Sequence, residues 1–163
     1  ILVGTQMLSK GLDFENVSLV GILNADMMLN FPDFRAHERA FQLMVQVSGR
    51  AGRSKKQGKV LIQTYNPYHQ ILQQVSSTDY AAMYKEQLED RWQYHYPPYY
   101  RLVKITLKHK DYQKVDAGII WLSKALQNVF KEHVLGPSEP AVSRIRNQYI
   151  KNVMIKIPPK QSL

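Results

Sequence analysis

The sequence predicts two domains of different class: an α/β domain built on a parallel sheet, and after it a small α+β domain of β-α-β-β order. Three observations carry this prediction. Up to Tyr65, short apolar runs bounded by Gly, Asp and Asn alternate with a helical stretch, the pattern of buried parallel strands and their crossovers. After the block Tyr96-Pro97-Pro98-Tyr99-Tyr100, where two prolines impose extended backbone, the period becomes a strict alternation. The charge changes there too: residues 1–100 hold 10 Lys and Arg against 9 Asp and Glu, and residues 101–163 hold 12 against 4. The boundaries that follow are 1–76 for the α/β domain, 77–99 for a helical connector and 100–163 for the basic domain.

In chain order, Ile1-Leu2-Val3 reads as a buried strand. Because the sequence starts on that strand, without a methionine or a polar lead-in, it reads as a piece of a longer protein. Val17 to Leu23 reads as a second buried strand. Across Arg35 to Arg50, Ala36, Ala40, Phe41, Met44, Val45 and Ser48 recur at helical spacing, and Gly49 and Gly52 close that helix. Lys59 to Tyr65 is the next strand, and Tyr80 to Arg91 is a helix within the connector. In the basic domain Leu102, Lys104, Thr106 and Lys108 alternate with Val103, Ile105 and Leu107, giving a strand with one polar face. Val115, Ile119, Leu122, Leu126 and Val129 form one stripe of an amphipathic helix, and Val153, Ile155 and Ile157 alternate again near the end.

Composition excludes several classes of function. With 44% hydrophobic residues in 163 the chain can bury a core, and no run of about 18 apolar residues marks a membrane span. No secretory leader is visible, so a cytoplasmic location with no membrane partner is expected. The absence of cysteine excludes disulfides and thiolate-bound zinc within these residues. The net charge of +9 suits a polyanionic partner, and it equally suits a solubilising surface.

The chemistry concentrates in two segments. Gln46-Val47-Ser48-Gly49-Arg50-Ala51-Gly52-Arg53 places two arginines at the end of the predicted helix. Guanidinium groups are always charged and match phosphate oxygens, so they suit the charge that develops in phosphoryl transfer. A helix ending in Gly-Arg also satisfies its own last carbonyls, with no further role. The other segment, Gly4 to Phe14, follows the first strand directly. Its Gly, Thr and Ser residues offer backbone N–H groups and hydroxyls at the edge where open α/β sheets bind ligands, and they equally form a plain strand-to-helix loop.

Together the two segments resemble motifs V and VI of superfamily 2 helicases. The wording is closer still to the PriA type of replication-restart helicase. Gly4 to Phe14, Leu23-Asn24-Ala25-Asp26, Pro32 to Ala36 with Glu38-Arg39, Gln46 to Arg53, and Gln63-Thr64-Tyr65-Asn66-Pro67 with His69 carry the likeness. Tyr96-Pro97-Pro98, Leu135-Gly136-Pro137 and Arg144-Ile145-Arg146 extend it. The resemblance implies that the α/β domain is part of a RecA-like second helicase lobe. Arg50 and Arg53 would reach ATP, with Gln46 near the γ-phosphate or the attacking water. Gly11 and Asp13 would lie on the nucleotide side, while Thr5, Gln6 and Lys10 touch DNA. It further implies ATP and Mg2+ as cofactors, 3′ to 5′ movement, and loading at abandoned forks to assemble a primosome. Forked and single-stranded DNA, single-stranded-DNA-binding protein and primosome proteins are the implied partners.

This sequence has no G-x-x-x-x-G-K-[S/T] phosphate loop and no Asp-Glu pair for magnesium, so the chain alone is expected not to hydrolyse ATP. The family's zinc-binding cysteines are also missing, consistent with a place upstream of motif V. After Arg146 the family has glycine and basic residues where this chain has Asn147, Gln148 and Ile150.

In the basic domain Lys104 and Lys108, with Lys156, are expected to line one sheet face, and Arg144, Arg146 and Lys151 a hairpin nearby, together binding DNA. The tyrosines at 94, 96, 99 and 100 are expected to pack a domain junction rather than stack on bases. Lys160 lies where related proteins present a basic residue to the acidic tail of single-stranded-DNA-binding protein. His69 and His109 stand alone without metal-ligand spacing. The alternative to a motor is a nucleic-acid-binding module without motor activity, to which the basic tail and the missing phosphate loop both point.

Overall fold

A computed structural model describes residues 1–4, 17–52 and 58–159. The chain divides into two compact units, Ile1–Asp90 and Arg91–Leu163.

In the first unit, β1 (Leu19–Ile22) and β2 (Lys59–Ile62) pair in parallel, with Leu19 opposite Lys59 and Ile22 opposite Ile62. Between them run α1 (Ala25–Leu29) and α2 (Ala36–Ser48), and after them α3 (Gln70–Ser77) and α4 (Tyr80–Gln93). The spacing of apolar residues on α2 has the expected result: Ala36, Ala40, Phe41 and Met44 are buried. Ala40, Phe41 and Met44 join Ala25, Leu29, Ile71, Leu72, Val75 and Met83 in one core, against which Ile22 and Ile62 pack. Only alternate residues of the two strands face this core, so Leu19 and Leu61 are exposed rather than buried as the apolar runs predicted.

Polar side chains start three of these helices. Asp33 accepts the Arg35 amide (2.8 Å) and the Arg39 guanidinium (3.0 Å) at the entry to α2. His69 Nδ1 accepts the Ile71 amide (3.2 Å) at α3, and Asp79 accepts the Ala82 amide (2.9 Å) at α4. Ile1-Leu2-Val3 is exposed and forms no strand, contrary to the sequence expectation. An apolar run becomes a strand only where a neighbouring strand satisfies its backbone groups, and neither β1 nor β2 pairs with it.

The second unit is a four-stranded antiparallel sheet carrying one long helix. Its elements are β3 (Arg101–His109), α5 (Tyr112–Phe130), β4 (Val134–Ser138), β5 (Arg144–Ile145) and β6 (Gln148–Ile157). The strand order is β3-β6-β4, with β5 pairing onto the start of β6. Two strands of the same direction therefore flank β6, a split β-α-β in which α5 crosses one face. Asp111 accepts the Gln113 amide (2.9 Å) to begin α5. Val115 and Ile119 are buried, and Ile119 packs with Val134 and Val153 against Ile105, Leu107, Leu122 and Leu126. Val129, the last residue of the predicted stripe, is 63% exposed and does not join this core.

Candidate nucleotide and nucleic-acid sites

The arginine-bearing turn is built from the end of α2. Gly49 caps the helix with its amide on Val45 O (3.0 Å), and the amides of Arg50 and Ala51 then step back to Val47 O and Ser48 O, both at 3.0 Å. Gly52 turns the chain with φ +79°, which a Cβ would strain, and its amide donates to Val17 O (3.0 Å). Seven residues later, Lys59 N donates to Ser18 O (2.9 Å). Gly58 meets the same turn: a Cβ on it would lie 2.6 Å from the Ala51 carbonyl carbon and 2.7 Å from Ala51 Cβ. The turn is thus fixed to the N-terminal end of β1. Gln46 is exposed on the last turn of α2, and Arg50 is half-buried just past the cap. Arg50 also stands where the carbonyl end of the helix favours a cation. Arg53 lies outside the described residues, as do Thr5, Gln6, Lys10, Gly11 and Asp13.

At the opposite edge of the sheet, the ends of β1 and β2 are tied together. Asp26 accepts from Thr64 Oγ1 (2.9 Å) and the Tyr65 amide (3.1 Å), while Ala25 N donates to Gln63 O (3.0 Å). Thr64 Oγ1 in turn accepts the Asn66 amide (3.0 Å). A cavity of about 400 Å³ opens beside this edge, lined by His37, Asn66, His69, Glu86, Glu89 and Asp90. Its three carboxylates repel phosphate, so it is not where a nucleotide would sit. Burial lowers the His69 pKa below the ordinary imidazole value, and nearby His37 lowers it further against a smaller opposing effect of Asp26. Among the described residues no three His, Cys, Asp or Glu side chains converge as metal ligands.

In the second unit the strand register sorts the basic residues. Directly opposed residues share a face, so Lys104 opposite Met154 and Lys108 opposite Ile150 lie on the face away from α5. Both lysines are exposed, and between them Thr106 Oγ1 donates to Asn152 Oδ1 (2.8 Å). Lys156 is on that face too, opposite Leu102, but its Nζ donates to Tyr94 O (2.6 Å) and sits 3.8 Å from the Tyr96 ring centroid. Burial there lowers its pKa from the ordinary lysine value. Tyr100 stacks near His95, with centroids 4.4 Å apart.

Lys151 falls on the other face, opposite Leu107 and beneath α5, where it pairs with Asp116 (2.5 Å) and Glu139 (3.3 Å). Arg144 shares that face through its pairing with Tyr149, and Arg146 is at the tip of the β5–β6 turn. The structure therefore separates Lys104 and Lys108 from Arg144 and Lys151, which the sequence placed as neighbours. Among the described residues no helix is long and apolar enough to cross a membrane.

Comparison with known proteins matches both units. Residues 1–55 match the helicase conserved C-terminal domain, and residues 92–163 match the primosomal protein N C-terminal domain. The chain is 43% identical over its whole length to replication restart protein PriA of Bacillus subtilis, and 38% identical over 97% of its length to that of Synechocystis. It is 38% identical over its whole length to replication restart protein PriA of Haemophilus influenzae. The chain belongs to the PriA family. It spans about a fifth of the length of these relatives: 20%, 19% and 23% respectively.

Much of the PriA-like wording proves architectural. Asp26, Thr64 and Gln63 tie the strand ends, Asp33 and Arg39 set the entry to α2, and His69 caps α3. Sequence reasoning missed Tyr112, Tyr149 and Asn147, which surround Arg144 and Lys151. Their signal was the alternation of β6, which puts Tyr149 and Lys151 on one face two residues apart.

Proposed function

We propose that the chain is part of an ATP-dependent 3′ to 5′ DNA helicase that recognises stalled or abandoned replication forks and restarts replication by primosome assembly. The observation that carries this reading is the Gln46–Gly52 turn, fixed to the N-terminal end of β1 inside the region that matches the helicase conserved C-terminal domain. Backbone bonds hold the turn, so Arg50 can meet a phosphate without the turn first having to order. Arg50 and Arg53 would stabilise the γ-phosphoryl group and Gln46 orient the attacking water, with Gly11 and Asp13 on the nucleotide side. Thr5, Gln6 and Lys10 would hold the DNA backbone. ATP and Mg2+ would supply the phosphoryl-transfer chemistry; the phosphate loop and the magnesium-holding acids are not in this sequence and belong to the facing lobe. Zinc would belong to cysteines elsewhere in the full-length protein.

Lys104, Lys108, Arg144 and Arg146 would give the second unit its hold on forked and single-stranded DNA. Lys151, expected from sequence in this set, has its charge compensated by Asp116 and Glu139. Single-stranded-DNA-binding protein and primosome proteins complete the proposed partners, in the cytoplasm.

The test is DNA-stimulated ATP hydrolysis by the full-length protein, comparing wild type with Arg53→Ala and Arg50→Ala and measuring fork binding in parallel. An arginine that stabilises the transferring phosphoryl group is worth about 10³-fold or more in turnover. Loss on that scale with fork binding retained supports the motor. Unchanged hydrolysis favours a nucleic-acid-binding module without motor activity.

A further inference from the structure

The β5–β6 hairpin has little backbone of its own to hold it. β5 is two residues long, paired through Arg144–Tyr149 and Ile145–Gln148, and the turn residues Arg146 and Asn147 both have positive φ, 49° and 60°. That is a type I′ turn, and Asn tolerates its second position well whereas Arg does not favour its first. A two-residue strand gives marginal order unless side chains add to it.

Side chains do add to it, in one continuous stack. The Arg144 guanidinium lies 4.8 Å from the Tyr149 ring centroid and donates from Nη2 to Asn147 Oδ1. Tyr149 meets Tyr112 edge-on, with centroids 5.4 Å apart and planes at 80°. Lys151 Nζ stands 4.8 Å from the centroid of Tyr112 and donates to its hydroxyl (3.1 Å). Asp116 on α5 and Glu139 then fix Lys151, whose side chain is only 12% exposed. The stack anchors the hairpin to the start of α5.

The two cations at its ends are in opposite electrostatic states. Lys151 faces two carboxylates and is neutralised. Arg144 has, among the described residues, neutral partners, a phenol ring and an amide, so its charge is available. An aromatic ring under a guanidinium holds its plane and leaves its outer N–H groups free to bind an anion.

We infer that Tyr149, buttressed by Tyr112 and Lys151, is a positioning residue that holds Arg144 ready for a nucleic-acid phosphate. This rests on the proposed DNA-binding role of the second unit. Pre-ordering a long side chain removes part of the entropy lost on binding, so the device raises affinity without adding a phosphate contact.

The test is equilibrium binding of forked DNA by the full-length protein over a range of salt, using Arg144→Gln, Tyr149→Leu, Tyr149→Phe, Asn147→Gly and the double variant Arg144→Gln/Tyr149→Leu. Arg144→Gln is expected to weaken binding about fivefold and to lower the salt slope by about one. Tyr149→Leu is expected to weaken it about threefold with the slope unchanged, since it removes no charge. Tyr149→Phe keeps the ring and should bind as wild type. Asn147→Gly keeps the turn, removes the acceptor and should lose about twofold, which preserves a test if Tyr149→Leu does not fold. In the double variant the Tyr149 effect should vanish, because a positioning residue has nothing left to position. If Arg144→Gln weakens binding while Tyr149→Leu and Asn147→Gly do nothing, or if the Tyr149 loss adds in full to that of Arg144, the positioning role is overturned and DNA binding by the hairpin stands. If Arg144→Gln binds as wild type, the hairpin does not meet DNA and the inference falls with its premise.

Discussion

The two units hold an arginine in place in different ways. In the first, backbone does it: Arg50 sits on a turn whose amides bond to Val47 and Val17, and a glycine at 58 allows the chain to pass against it. In the second, side chains do it: Arg144 rests on Tyr149 and, through Tyr112, on Lys151. A motif fixed by backbone can therefore be read as a string of residues, whereas an arrangement fixed by side-chain stacking depends on strand register and must be read across the sheet.

The backbone arrangement of the first unit should respond most strongly to a side chain placed where it leaves no room. Gly58→Ala brings a Cβ onto Ala51 and Gly52, mostly onto main chain, and should destabilise the chain by about 2–3 kcal/mol in denaturant unfolding. If it costs nothing, the turn is not clamped as described. Next in size is Lys151→Met, which leaves Asp116 and Glu139 facing each other without their cation. These groups are partly exposed, so about 1–2 kcal/mol is expected by thermal unfolding, with part recovered in Lys151→Met/Asp116→Leu. The hydrogen bond from Lys151 to Asp116 raises the Lys151 pKa above the ordinary lysine range, so this contribution should be constant from about pH 7 to 9 and fade only as pH rises through that raised value.

A smaller effect distinguishes the first unit by pH. His69 caps α3 through an unprotonated Nδ1, and its folded-state pKa is lowered, so its contribution is present above the ordinary imidazole value and lost as pH falls below it. Acidification should remove up to about 1 kcal/mol, and His69→Asn, which caps without titrating there, should abolish that dependence in unfolding curves recorded across pH. The smallest expected effects are on the open face of the second sheet. Lys104→Gln and Lys108→Gln should each weaken fork binding about twofold to threefold, lower the salt slope by about one, and add to Arg144→Gln, which lies on the other face.

The α/β lobe, helix α2, the stripe on α5 and the β-α-β-β outline of the second unit were legible because period and charge report them directly, while the two-residue β5 was too short to show a period. The five residues of α1 were not, because Ala25–Leu29 follows closely on the apolar run of β1, and the left-handed Asn24 that separates the two, with the Asp26–Thr64 bond beside it, is visible only in three dimensions. α3 was hidden behind Pro67, its cap being a histidine rather than the usual Ser, Thr, Asp or Asn. In the candidate sites the arginine turn was legible from its wording, as were the exposed lysines of β3. The partition of the remaining cations was not: whether Lys151 or Arg144 keeps its charge for a ligand is decided by Asp116 and Glu139, 35 and 12 residues away in sequence.

The close approach of Gly58 to the main chain of Ala51 and Gly52 also means that a full mutational scan of this position should tolerate glycine alone. The bonds from Gly52 to Val17 and from Lys59 to Ser18 carry that crowding to β1, so relief or strain at Gly58 should register as altered hydrogen exchange at the Gly52 and Lys59 amides.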